Sequence, residues 1–419
     1  MSRDPQSALV ALNRFGFGAR GGASGDFLNA VSDPRGFVKA ELARPGGGVL
    51  IEAPELLPTA KLAQEAFAYQ RERKQARQAA AKVAKNAAKV AAAQGADGMQ
   101  PEATKPHAPK PPNVIQRTYR TEALARLQRA VLADCGVSER LVAFWSNHFC
   151  ISATKGPLAR IWAGAFEREA IRPHVLGRFV DMLMAVGKHP AMLYYLDNQQ
   201  SVGPDSRVGR RRKRGLNENL ARETMELHTI GVDGGYTQAD VTSLSRILTG
   251  WTFVGQKGFL GEPGSFVFNA NAHEPGPQRL LGKIYPAGGL AQGEAALADL
   301  ARHPATAKFI ATKFASHFVA DDPPPALVAR LADVFTKTDG DLKALTLALV
   351  DSDEAWHTPL TKIRSPYEYL VAMGRLLDRV PENPGPYLSG LNMLGEPLWS
   401  PPGPNVFPTP TRPGPHRKA

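Results

Sequence analysis

The sequence predicts a mainly all-α protein: one large multi-helix domain with a small β-hairpin, a projecting Ala/Lys-rich helical insertion and Pro-rich loops. Three observations predict it. Apolar residues recur at three- and four-residue spacing over many separate segments. Helix-start residues precede several of them. Only one stretch, WTFVGQKGFLGEPGSFVFN at residues 251–269, has the aromatic, turn-bounded composition of paired strands.

In chain order, Gly16 and Gly18 around Phe17 mark a tight packed turn. Asp33-Pro34 starts a short helix, with Asp as N-cap and Pro in its first position. Residues 55–112 read as an insertion: a projecting helix or helical hairpin rich in Ala, Lys, Arg and Gln, then a linker over 95–112. Helical patterns resume over 114–133, 138–150, 157–171, 173–186, 217–229 and 237–249. Ser138 and Thr237 are the expected N-caps, and Asp240 completes a capping box with Thr237. His189-Pro190 opens a short helix, residues 203–215 form a basic loop, and 251–271 hold the hairpin. Helices return at 292–301, 304–318, 324–337, 341–350 and 365–379, and the Pro/Gly-rich segment 380–419 wraps or frays.

The chain has 419 residues, 43% of them hydrophobic, enough for a sizeable core. Its formal charge of +12 is local. Residues 61–120 contribute +8 and residues 207–214 (RVGRRRKR) contribute +6, which leaves the body near neutral. With no recognition motif beside these charges, nucleic acid is not the expected partner. Cys135 and Cys150, the only two cysteines, exclude a disulfide framework and a Cys-based zinc site. No run approaches a membrane span. The opening residues lack a signal-peptide core, so the expected location is cytoplasmic. Nucleophile-elbow, phosphate-loop, dinucleotide-binding and haem-attachment patterns are all missing.

The segments LNRFGFG (12–18), FWSNHF (144–149), HPAMLYYLDN (189–198), GLNENLARETMELHTIGVDGGYTQADV (215–241) and LTGW (248–251) resemble one large bacterial family, catalogued as domain of unknown function 1800. HEPGPQRLLGK (273–283) and GEPLWSPPGPNVFP (395–408) resemble its later motifs. The resemblance implies a single family domain over 1–419. It also implies a protein partner encoded by a neighbouring gene, and export in many members. It implies no activity. Two departures stand out: Glu-Pro follows His273 where the family pattern has His-Asp, and residues 405–407 replace a Gly-Trp position.

The densest polar block is residues 217–228. On a helix, Asn219, Arg222, Glu223 and Glu226 share neighbouring turns. Such a face serves either an internal ion network, with Arg222 neutralising a Glu, or a reacting site. His148 sits among aromatics, as a metal ligand or base would, or as a buried histidine on a carbonyl. His189 suits a cap, and His228 suits a helix C-terminus. His273 lies in a loop. The sharp hypothesis joins His148, Glu223, Glu226 and His273 around a transition metal (Zn, Mn or Fe), with Glu223, Glu226, His148 and Arg222 as catalytic candidates. This predicts a metal-assisted enzyme, hydrolytic or oxidoreductase. The alternative is a non-catalytic structural or partner-binding protein, and the third reading is a non-specific nucleic-acid binder acting through the basic segments. The 231–236 turn (GVDGGY) lacks the ligand ladder of a calcium loop.

Overall fold

The computed structural model describes residues 4–44, 53–93, 113–212 and 215–403. The expected 95–112 linker, Lys213 and Arg214 of the basic loop, and the segment beyond 403 lie outside them. The described residues are mainly helical, with strands in two short antiparallel pairs. Trp251–Phe253 pairs with Phe266–Phe268 as the aromatic pattern predicts.

The second pair, Gln278–Leu280 with Lys283–Tyr285, has no such signal in the sequence. Its two-residue turn puts Leu281 and Gly282 at φ 48° and 81°, the left-handed pair a tight hairpin requires. A leucine there is disfavoured on its own. It is held because its amide donates to Asp240 Oδ1 at 2.7 Å. The other Asp240 oxygen closes the predicted capping box with Thr237 on the helix Gln238–Ile247.

The helices Val137–His148 and Pro157–Phe166 form the middle of the core. Trp145, Trp162, Phe149 and Phe179 are fully buried, and each such apolar side chain contributes about 1.5–3 kcal/mol by leaving water. The first of these helices begins at Val137 after Gly136 at φ 89°, with no side-chain cap, so Ser138 is not the N-cap expected. Glu41 occupies that role: its two carboxylate oxygens accept from the amides of Gly136 and Ser138 at 2.8 and 2.9 Å. The expected 173–186 helix starts only at Phe179, because residues 172–174 form a separate short turn and 175–178 bend. Gly16 fits the tight turn for a steric reason: a Cβ there would sit 2.0 Å from the Cys135 carbonyl oxygen.

The Ala/Lys-rich region is one helix, Thr59–Ala93, about 52 Å long at 1.5 Å per residue. Its base belongs to the body: Leu62, Ala63, Ala66 and Phe67 are buried, and Trp162 donates to the Thr59 carbonyl at 2.9 Å. From residue 70 to 89 every side chain is exposed, so the projection starts well past residue 55. The 380–403 stretch contains a helix, Gly385–Met393, that its Pro/Gly content concealed.

Candidate functional site

The polar block 217–228 folds as a short helix, Asn219–Glu223, that widens into a π turn over Thr224–His228. The Thr229 hydroxyl on the Thr224 carbonyl (2.6 Å) and the Gly231 amide on the Met225 carbonyl (3.1 Å) close it. Wide turns of this kind displace side chains from regular helical positions and recur at functional sites. Here the turn follows Glu223 directly and contains Glu226.

Glu223 is half-buried, and its Oε2 is buried without a hydrogen-bond partner. Burial first, then the negative charge of Glu226, pushes its carboxyl up to about 7, against a weaker opposing pull from Arg222. Arg222 is spent elsewhere: it pairs with Glu218 at 3.0 Å and donates to Gln238 at 2.9 Å. Glu226 accepts from the Tyr236 hydroxyl at 3.5 Å. The block therefore divides into a satisfied surface network and one unsatisfied carboxyl.

His148 is buried at the end of its helix, with the Phe149 ring 4.5 Å and the Trp145 ring 5.3 Å away. Its Nε2 lies 3.0 Å from the His228 carbonyl, and its Nδ1 lies 3.0 Å from Lys313 Nζ. A carbonyl can only accept, so Nε2 carries the proton and Nδ1 accepts from the lysine. Burial, with Lys313 and His228 nearby, holds His148 well below the usual imidazole range. Burial and Lys313 take His228 down to about 3. Lys313 itself falls to about 8 through burial, with Cys150 pulling the other way. Burial, then Cys150, then Glu223, raises the Tyr195 phenol. The contacts form two sets: Glu226 with Tyr236 beside Glu223, and His148 with Lys313 and the His228 carbonyl.

His273 does other work. Its Nδ1 lies 2.9 Å from the Thr249 carbonyl, and the Thr249 hydroxyl accepts from the Glu274 amide at 2.8 Å. His189 caps its helix through Nδ1, which accepts from the Ala191 amide at 3.1 Å. Among the described residues, no three His, Cys, Asp or Glu side chains gather as a metal-holding group. The structure brings Glu223 and Glu226 together, sets His148 beside Lys313, and anchors His273 on Thr249.

A cavity of about 510 Å³ has Asn147 and Cys150 on its wall, and Glu223, Glu226, His148 and Lys313 do not line it. The FWSNHF segment forms one side, and Gly395–Pro401 with Tyr367 forms another. Its floor is a closed ion network. Arg172 bonds Glu139 (2.7 Å) and Glu167 (3.0 Å), and Arg126 pairs with Glu167 at 2.8 Å. Ser146 and the Trp399 indole also donate to Glu167, at 3.0 and 3.1 Å.

Sequence reasoning missed Lys313. The signal was its place at i+4 from Phe309 and i−4 from His317, a cation in line with an aromatic stripe on Pro304–Phe318. The juxtaposition with His148, 165 residues away in sequence, had none.

The molecule is thus a mainly helical domain with a buried, unpartnered carboxyl oxygen on Glu223 and a cavity walled by Asn147 and Cys150. The chain matches the family model described as "Protein of unknown function (DUF1800)" over residues 10–412, and it belongs to that family. Curated proteins and solved structures give no match to it. Among the described residues no helix is long and apolar enough to cross a membrane.

Proposed function

We propose that this chain is an enzyme in which the Glu223 carboxyl is a proton-transfer group, with Glu226 as the charge that tunes it. The observation that carries the reading is the buried, unpartnered Oε2 of Glu223 beside a second carboxylate. A carboxyl left without a donor costs stability. One poised near neutrality can take and return a proton at physiological pH. Lys313 supplies a second group in that range, kept on His148 Nδ1.

A metal-assisted version is the second reading, favoured by the same orphan oxygen. Glu223 and Glu226 are the oxygens that Zn, Mn or Fe would take. His148 would join them only if Lys313 left its Nδ1, since both ring nitrogens are engaged.

The test is mass-spectrometric turnover profiling of the full chain on pooled small esters, amides, phosphate esters and alcohols, with Glu223→Gln as the comparison. Metal content is measured on both proteins. Conversion by the wild type that Glu223→Gln loses, while still folded, is the expected result. One equivalent of a transition metal lost with it selects the metal-assisted form. Conversion that persists unchanged in Glu223→Gln overturns the assignment.

A further inference from the structure

A second cavity, about 250 Å³, lies between the first helical turns and residues 360–368. It shares His317, Lys362, Ile363, Arg364 and Glu368 with the larger cavity, so the two adjoin. Its lining carries four cations, Arg14, Arg140, Lys362 and Arg364, against one carboxylate, Glu368.

The pairing in this cavity is incomplete. Arg14 is 3% exposed and gives its N–H groups only to neutral carbonyls, those of Ala355 (2.6 Å), Thr358 (2.8 Å) and Pro359 (3.1 Å). Its hydrogen bonds are met and its charge is not. Arg140 is 5% exposed and takes Glu368, at 3.0 Å, as its counter-ion. Its Nε is buried without a partner. Arg364 donates Nη2 to Asn13 at 2.6 Å, and its Nη1 is buried without a partner. The Nε2 of His317 is orphaned as well. Lys362 is neutralised at the rim by Asp321, at 2.5 Å. Burial and the charge of Arg140 depress both Arg14 and Arg364, Arg14 to about 10.

Buried guanidinium groups ordinarily sit against carboxylates, as around Glu167 in this same chain. Here they crowd one another around a cavity, with orphaned donors on Arg140 and Arg364 and an unpartnered ring nitrogen on His317. We propose that this cavity binds the oxyanion head of a small amphiphilic ligand, a carboxylate or a phosphate, whose apolar body lies in the larger cavity beside it. Planar guanidinium donors suit both head groups. The larger cavity supplies an apolar wall from Ile363, Leu391, Leu394, Leu398 and Trp399. Its own acids do not oppose an anion strongly. Glu167 is neutralised by two arginines, and burial pushes Glu396 toward its neutral form. The proposal does not depend on Glu223 being catalytic.

Calorimetric titration of the full chain with inorganic phosphate, octanoate and octyl phosphate tests it, with unfolding midpoints measured alongside. One of the two octyl compounds should saturate a single site, bind more tightly than inorganic phosphate, and raise the midpoint. The stronger of the two identifies the head group. Arg364→Gln should weaken that binding by about tenfold or more, the loss expected for a charge-assisted hydrogen bond. Without ligand, Arg364→Gln should match or exceed the wild-type midpoint, because it removes one of several mutually repelling cations. A structural arginine would behave oppositely. Absence of saturable binding by all three probes overturns the proposal. So does binding unchanged in Arg364→Gln, or a variant that loses stability or fails to fold without ligand.

Discussion

Buried charges in this molecule are grouped on two opposite principles. Around Glu167 every charge has a counter-charge. Arg126 and Arg172 converge on it, Arg172 also holds Glu139, and Arg168 holds Glu122 at 2.8 Å. Burial works against ionisation of Glu167, but the two arginines outweigh it and hold its carboxyl below the usual range. Around Glu223, and again around Arg14 and Arg140, like charges are grouped without enough counter-charge. A closed network locks three helical segments together. A lopsided one is a standing cost that a substrate, proton or ligand can relieve. Buried charge alone therefore does not mark a working site in this molecule. Imbalance does.

The largest expected effect falls on the balanced side. Glu167→Ala strands Arg126, leaves Arg172 with Glu139 alone, and should destabilise the fold by about 3–5 kcal/mol in urea unfolding. A loss below about 1 kcal/mol would erase the contrast.

On the other side the sign reverses. The Glu223 carboxyl is raised from 4.5 to about 7, so between those values the folded state holds a proton that the unfolded state has lost. Stability contributed by the neutral acid is complete below 4.5 and is lost as pH rises through 7. Glu223→Gln should equal the wild type in acid and become the more stable protein above pH 7. Parallel curves across that window would show that this carboxyl is not perturbed.

Lys313 gives a shift of similar size in a different window. Its ammonium falls from 10.5 to about 8, so the unfolded chain binds more protons between those values and wild-type stability rises with pH there. Lys313→Met should abolish that rise, as read in denaturant midpoints from pH 7.5 to 10.5. A rise that survives would assign it to another group.

The smallest effect belongs to the arm. Lys85 and Val83 are exposed on Thr59–Ala93, and Lys85→Gln with Val83→Ala should leave stability within about 0.5 kcal/mol. A larger drop would mean that this stretch packs on the body.

Much of the fold was legible because helical periodicity and caps are local. Thr237 with Asp240, Asp33-Pro34 and His189-Pro190 behave as their spacing predicts. The failures have long-range causes. Glu41 caps the Val137–His148 helix from 97 residues away, so Ser138 looked like the cap. Leu281 tolerates a left-handed turn only because Asp240 holds its amide. Of the site, the Glu223–Glu226 pair could be read from three-residue spacing. Lys313 on His148, and Arg14 on residues 355–359, could not, since each joins distant segments. A buried arginine also has the same letter as an exposed one.

The most direct test of imbalance as the mark of a working centre is a carboxyl ¹³C NMR titration of the full chain, with Glu223→Gln and Glu167→Gln assigning the two resonances. The account predicts a Glu223 midpoint near 7, with Glu167 still ionised below 4.5. Both carboxyls titrating together near 4.5 would contradict it.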